Sequence, residues 1–289
     1  MVPVFTSLVT RHPSRVMPFH RFEKLKSYHL NPHLSSTRGP IIEGRYMYFR
    51  RVSKTAGSRS KPHYHPNEFM AFFLEGKSHA VLGRRRRVAG PGMLVHIPPN
   101  ARHSFKAIDD VNYLYVKDRT WTLIGSAADE ALPEQAMSAT QVAKALKAGK
   151  YPGQRGSAKK SQAIVEGLGD CFYQWMAQLD APAASGHHER WLEGDNLAFG
   201  LIESPAGHRV EDGKARHEIF AYIISGTLDA RVGRERRRAR PGDVIHVPKG
   251  SARRWIVTGR GSARYAVVRS TPRLEATVEK NGASDNWRG

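Results

Sequence analysis

Apolar positions in this chain fall in short runs punctuated by Gly and Pro. "FMAFFLEG" (69–76) and "IFAYIISG" (219–226) are aromatic and β-branched runs closed by glycine. Each is followed by an alternating stretch ending at a glycine turn, "KSHAVLG" (77–83) and "TLDARVG" (227–233), and then by an Arg-rich return to Pro-Gly. "MLVHIPP" (93–99) and "DVIHVPK" (243–249) are apolar runs stopped by proline, which cannot donate to a strand ladder. Short runs of this kind predict strands of an antiparallel sandwich or barrel. Helical spacing occurs in "SATQVAKALKAG" (138–149), where Ser138 and Gln141 stand at capping-box distance ahead of Val142 and Leu146. "AIVEGLGDCFYQWMAQL" (163–179) reads as a second helix or a strand pair, and 150–161 as a polar loop.

The runs recur at a single offset of 150 residues, without gaps, over about fifty positions. Ala56-Gly57 meets Ala206-Gly207, Glu68 meets Glu218, and Gly76 and Gly83 meet Gly226 and Gly233. Pro91-Gly92, His96 and Pro98 meet Pro241-Gly242, His246 and Pro248. The chain is therefore a tandem duplication. The expected organisation is all-β, with one unit over 1–135, a short, partly helical linker over 136–180, and a second unit over 181–289.

Composition changes this picture little. With 289 residues, 40% hydrophobic and 25% charged, the chain can build two cores and is not disordered as a whole. No apolar stretch reaches the roughly 20 residues of a membrane span, and the N-terminus lacks the cationic start and apolar core of a secretory leader. A lone cysteine, Cys171, excludes an internal disulfide and suits a reducing cytoplasm. The net charge of +20 raises the question of polyanions. Its densest runs, "GRRRRVAGPG" (83–92) and "GRERRRARPG" (233–242), occupy the same predicted hairpin in each unit and lack interleaved aromatics, so they read as solvated or interface strands rather than a nucleic-acid platform. Such strands at the barrel edges could mediate a homodimer.

The candidate chemistry lies in "KPHYHPNEFMAFFLEG" (61–76), whose twin "EDGKARHEIFAYIISG" (211–226) lacks both histidines. Gly57, five residues, His63-Tyr64-His65 and a closing Gly76 form one motif; Gly92, five residues, Pro98 and then His103 form a second, with Asn100 and Ala107 where Gly and Asn are usual. Motifs so spaced, in a duplicated chain, resemble the cupin family and its two-domain bicupins, over roughly two thirds of the sequence. The resemblance implies two jelly-roll barrels and one divalent metal, held in the first barrel by His63, His65 and His103, with positions left open for substrate and dioxygen. Alternation along a strand agrees, since His63 and His65 project to one face. The glutamate ligand of the family would fall at Phe69. Two alternatives stand: a site of three histidines alone, or Glu68 reaching the ion through a local bulge. In the second unit the ligand positions carry Gly213, Ala215 and Arg253, so that barrel is expected to be degenerate and metal-free.

Three-histidine centres in an N-terminal barrel make the chain similar to gentisate dioxygenase-like bicupins. The resemblance thus implies an iron(II) dioxygenase, with Mn, Ni, Zn or Cu as other ions, acting on small anionic substrates, aromatic ones included. Arg50, Arg102 and Lys117 are the expected anion-binding groups, and Phe69, Ala71 and Phe73 the apolar wall on the face of the histidines. Met70, Phe72 and Leu74 would then face the other layer of the sandwich. An isomerase, lyase or hydrolase using the metal as Lewis acid is the alternative, with Glu68 or Tyr64 as acid/base; a non-catalytic binding module is the third. Neither nucleic acid nor membrane is expected as a partner.

Overall fold

The computed structural model describes residues 17–29, 31–154 and 160–281. Residues 1–16, which bear on the question of a leader, and part of the loop 150–161 lie outside these. No described helix is long and apolar enough to cross a membrane.

The chain folds into two jelly-roll barrels, each of a large and a small antiparallel sheet. In the first barrel the large sheet includes Met47–Lys54, Val111–Asp118, Phe69–Glu75 and Met93–Ile97 side by side, and the small sheet runs Ser126–Ala127, His63–Tyr64, His103–Ala107, Ser78–Leu82, Arg85–Ala89. In the second, Asp243–Val247, Ile219–Ser225, Ala263–Ser270 and Leu197–Ser204 are neighbours in one sheet, facing Arg209–Lys214, Ala252–Thr258, Thr227–Val232 and Glu235–Ala239. The 150-residue repeat is thus a repeat of barrels.

The barrels exchange edge strands. Phe19–Arg21, near the start of the chain, pairs with Asp243–Val247 of the second barrel, Phe19 opposite Ile245. Phe172–Gln174, between the units, pairs with Met93–Ile97 of the first. Each added strand covers an edge that would otherwise present unpaired backbone groups.

The stretch Phe69–Phe73 is continuously apolar because both its faces are buried. Phe69, Ala71 and Phe73 belong to the core of the first barrel. Met70 and Phe72 face the second barrel rather than the opposite layer of their own, in a core shared with Phe49, Leu197, Phe199, Phe220 and Val268, against which Leu74 packs. Two ring contacts pin this seam: Phe49 stacks on Phe220 with centroids 5.2 Å apart, and Phe72 meets Phe199 at 5.4 Å. The small sheets instead face solvent, which accounts for the arginines: Arg85, Arg86 and Arg87 are all exposed.

The helix expected after Ser138 is present as Ala139–Lys147, with the capping box formed and Val142 buried. The segment 163–179 supplies the single strand Phe172–Gln174 and no helix. A C-terminal helix, Pro272–Asn281, adds Leu274 and Val278 to the core between the barrels.

Candidate functional site

Two prolines, Pro62 and Pro66, bracket the short strand that carries the first histidines. His63 lies directly opposite His103 in the ladder, and His65 follows two residues on, on the same face. The three rings gather at one end of the barrel, with centroids 4.2 Å apart for His63 and His103, 4.9 Å for His65 and His103, and 6.2 Å for His63 and His65.

Each imidazole is oriented by a backbone carbonyl. Nδ1 lies 2.7 Å from the Lys61 carbonyl oxygen in His63, 3.0 Å from that of Asn67 in His65, and 2.8 Å from that of Ala101 in His103. A carbonyl can only accept, so Nδ1 carries the proton and Nε2 the lone pair. Burial holds all three rings neutral: His63 is lowered to about 4, and His65 and His103 fall well below the usual histidine range.

The histidines line a small cavity of about 50 Å³ together with Arg50, Lys54, Phe69, Tyr115 and Lys117. Phe69 packs on Tyr115 at 4.3 Å as its aromatic wall. No Asp or Glu is among the described residues that line it, and its three basic groups are held mainly by carbonyl oxygens. Lys117 Nζ donates to Leu123 O at 3.0 Å, Lys54 Nζ to Phe105 O at 3.4 Å, and Arg50 Nη2 to Gly39 O at 3.0 Å. Desolvation makes these charges costly: it lowers Lys117 to about 7, Lys54 to about 8 and Arg50 to about 10.

Of the residues expected from sequence, Arg50, Phe69 and Lys117 join the three histidines at the cavity. Five others do not line it. Ala71 and Phe73 share the strand face of Phe69 but lie in the barrel core. Arg102 alternates away from His103, in a segment whose backbone N–H donates to Ile164 O. Tyr64 likewise points out between its two histidines, its hydroxyl 2.6 Å from Glu130 O and 2.7 Å from Gln162 Oε1. Neither Tyr64 nor Glu68 is placed as a cavity acid or base. Lys54 and Tyr115 were missed, although period two marks both: Lys54 shares a face with Arg50, and Tyr115 with Lys117.

Glu68 is turned towards the second barrel. Its carboxylate accepts from Asp195 N at 3.1 Å, Asn196 N at 2.7 Å and Leu197 N at 2.8 Å, and lies 2.6 Å from His96 Nε2. Glu218 mirrors it, accepting from Arg45 N, Tyr46 N and Met47 N at 2.7–3.2 Å beside His246. A Cβ on Gly44 or Gly194 would overlap these carboxylates. The repeated Glu, His and Gly therefore form a reciprocal clasp between the barrels.

The Cupin domain family profile matches this chain twice, over residues 51–116 and 200–269, one match in each barrel. The chain is a bicupin. Solved structures agree on the fold of this bicupin at low identity. AerE from Microcystis aeruginosa is 12% identical, with 85% of this chain and 96% of that one covered at a TM-score of 0.55. Oxalate decarboxylase from Bacillus subtilis, a protein with Mn(II) centres, is 16% identical over 89% and 78% at 0.59. A cupin 2 conserved barrel domain protein from Leptotrichia buccalis is 9% identical over 80% and 86% at 0.52. No curated protein matches the sequence significantly.

The cupin resemblance implies a divalent metal, and the donor set fits one in its chemistry: three neutral imidazoles with Nδ1 already bonded, the arrangement in which a histidine presents Nε2 to an ion. Among the described residues, no group of three or more His, Cys, Asp or Glu side chains is set to hold an ion as it stands.

Proposed function

We propose that this bicupin is a metal-dependent enzyme of a reducing compartment such as the cytoplasm, acting on a small carboxylate anion in the first barrel, with iron(II) as the ion and dioxygen as co-substrate. One observation carries the reading: three buried basic side chains and three neutral imidazoles face a cavity with no acidic residue among the described residues that line it. Buried cations without a carboxylate are costly, and an anionic ligand offsets that cost. A cavity of about 50 Å³ has room for about three or four water-sized groups, which favours a compact carboxylate over a substituted ring.

The chain's own residues would bind and orient. Lys117, Lys54 and Arg50 would draw the carboxylate in and fix its plane, Arg50 being already stacked over Tyr115 at 5.5 Å. Phe69 and Tyr115 would exclude water from one side. Lys117 Nζ, at about 7, is the lining group able to give or take a proton near neutrality. Iron(II) at the histidines would supply the one-electron chemistry that lets dioxygen react with a closed-shell organic anion.

Metal analysis of anaerobically purified protein, followed by oxygen uptake with a panel of two- to four-carbon carboxylates, tests this reading. Expected are about one iron per chain and substrate-dependent oxygen consumption. A second reading, a lyase, is favoured by the small cavity and the fold shared with oxalate decarboxylase; carbon dioxide release without net oxygen uptake would select it. Absence of any metal from the wild type would overturn both.

Lys117 and Lys54 have folded pKa values below that of a free lysine, so above about pH 8 both lose the charge an anion needs. Carboxylate affinity should therefore fall with rising pH, by up to about tenfold per unit for each lysine that must be charged. Calorimetry should also register proton uptake on binding near pH 8. Lys117→Met should flatten the profile.

A further inference from the structure

The second barrel has its own cavity in the equivalent place. At the 150-residue offset, His63, Phe69, His103, Phe105 and Lys117 of the first cavity become Gly213, Ile219, Arg253, Trp255 and Val267, and all of these line the second. Loss of the imidazoles and of the lysine leaves a larger space, about 510 Å³.

Its walls have changed chemistry. Gly200 stands where the first barrel has Arg50, and the Trp191 indole lies across it, so close that a Cβ at Gly200 would clash with the ring. The indole is fixed there by its Nε1–H, which donates to Glu189 Oε2 at 2.7 Å. A second indole, Trp255, is 2% exposed, and its Nε1–H makes no hydrogen bond of normal geometry, although the Tyr265 hydroxyl is close by.

Cations ring the opening. Arg253 lies over the Trp255 ring at 5.2 Å and Arg269 over Trp191 at 4.8 Å; Lys214 and Arg216 are exposed on the lining. Glu189 is the one acidic residue among the described lining and is engaged by Trp191, and Arg269 is ion-paired with Glu193 outside the lining, so Arg253, Lys214 and Arg216 are the cations at the opening itself. Two aromatic surfaces beneath a cationic rim suit a flat ring carrying a negative group: the ring against the indoles, the anion on the guanidinium.

We propose that the second barrel of this bicupin is a metal-free binding site for an aromatic carboxylate, the ring lying against Trp191 and Trp255 and the carboxylate on Arg253 at the basic rim. The site is independent of the chemistry assigned to the first barrel. It also gives the larger, degenerate barrel a ligand that the first barrel's cavity would not hold.

Calorimetric titration of the full chain with 1-naphthoate, and with the uncharged 1-naphthalenemethanol, tests the proposal. Expected is one site for naphthoate, unchanged in His103→Ala, with the alcohol at least about tenfold weaker. Arg253→Glu should weaken naphthoate binding at least about tenfold. Lys214→Glu, a change at an exposed side chain, should weaken it as well and covers the case in which the first variant does not fold. No binding at millimolar naphthoate, equal binding of the alcohol, or binding kept in both rim variants but lost in Lys117→Met would each overturn the site.

Discussion

Glu68→Ala is expected to destabilise the protein by about 3–5 kcal/mol while leaving its metal content unchanged. Glu68 is buried, and three backbone N–H groups of the second barrel, on Asp195, Asn196 and Leu197, end on its carboxylate. Truncation leaves those donors and the His96 ring without their acceptor. Each orphaned buried donor costs about 1–3 kcal/mol, moderated as water and neighbours relax into the gap. Glu68→Gln keeps one acceptor oxygen and should cost less. Glu218→Ala removes the mirror-image contacts to Arg45, Tyr46 and Met47 and should match Glu68→Ala in size. Equilibrium unfolding in urea, with metal analysis on the same samples, separates this clasp from the ligand reading. Metal loss at unchanged stability would return Glu68 to the metal centre.

The role of Glu68 is only half legible in the sequence. Its recurrence as Glu218, in a unit without the histidines, marks it as something both barrels need. What it binds is backbone, in a turn well over a hundred residues away, and backbone donors leave no trace in side-chain identity. Gly44 and Gly194 do carry a trace, since they too stand 150 apart and are kept free of a Cβ by the carboxylates. Strand periodicity was reliable for faces and blind to depth: it placed Phe69, Ala71 and Phe73 together, but only Phe69 reaches the cavity. The same rule misplaced Met70 and Phe72 by one layer, because a sequence does not say whether a sheet's outer face meets solvent, its own barrel or a second one. The helix Pro272–Asn281 does carry a start signal in the sequence. Thr271 caps it, its hydroxyl accepting from Leu274 N at 3.3 Å, and Pro272 opens it. The strand exchange had none, since Phe19–Arg21 and Phe172–Gln174 are too short to declare their partners.

His103→Ala should abolish metal uptake and lower kcat/KM by at least about 1,000-fold, well beyond the roughly 10–100-fold typical of losing an outer partner of a metal ligand. His103 is the central ring, 4.2 and 4.9 Å from the other two, and without it the remaining pair, His63 and His65, stands 6.2 Å apart with no carboxylate among the described lining residues to replace it. A purely structural role would show a different signature. The His103 ring gives the fold one neutral hydrogen bond, to Ala101 O, and buried packing against Phe69 and Phe105, so its loss costs about 2–5 kcal/mol even without metal and stability alone does not separate the two roles. The deciding quantity is the response of stability to added metal. Iron(II) or manganese(II) at about 100 times its dissociation constant should raise wild-type unfolding free energy by about 2.7 kcal/mol and leave His103→Ala unmoved. An equal shift in both proteins would place the ion elsewhere, and no shift in either would remove the metal from the first barrel. Either result would leave the cationic cavity as an anion-binding pocket whose histidines serve only as neutral walls.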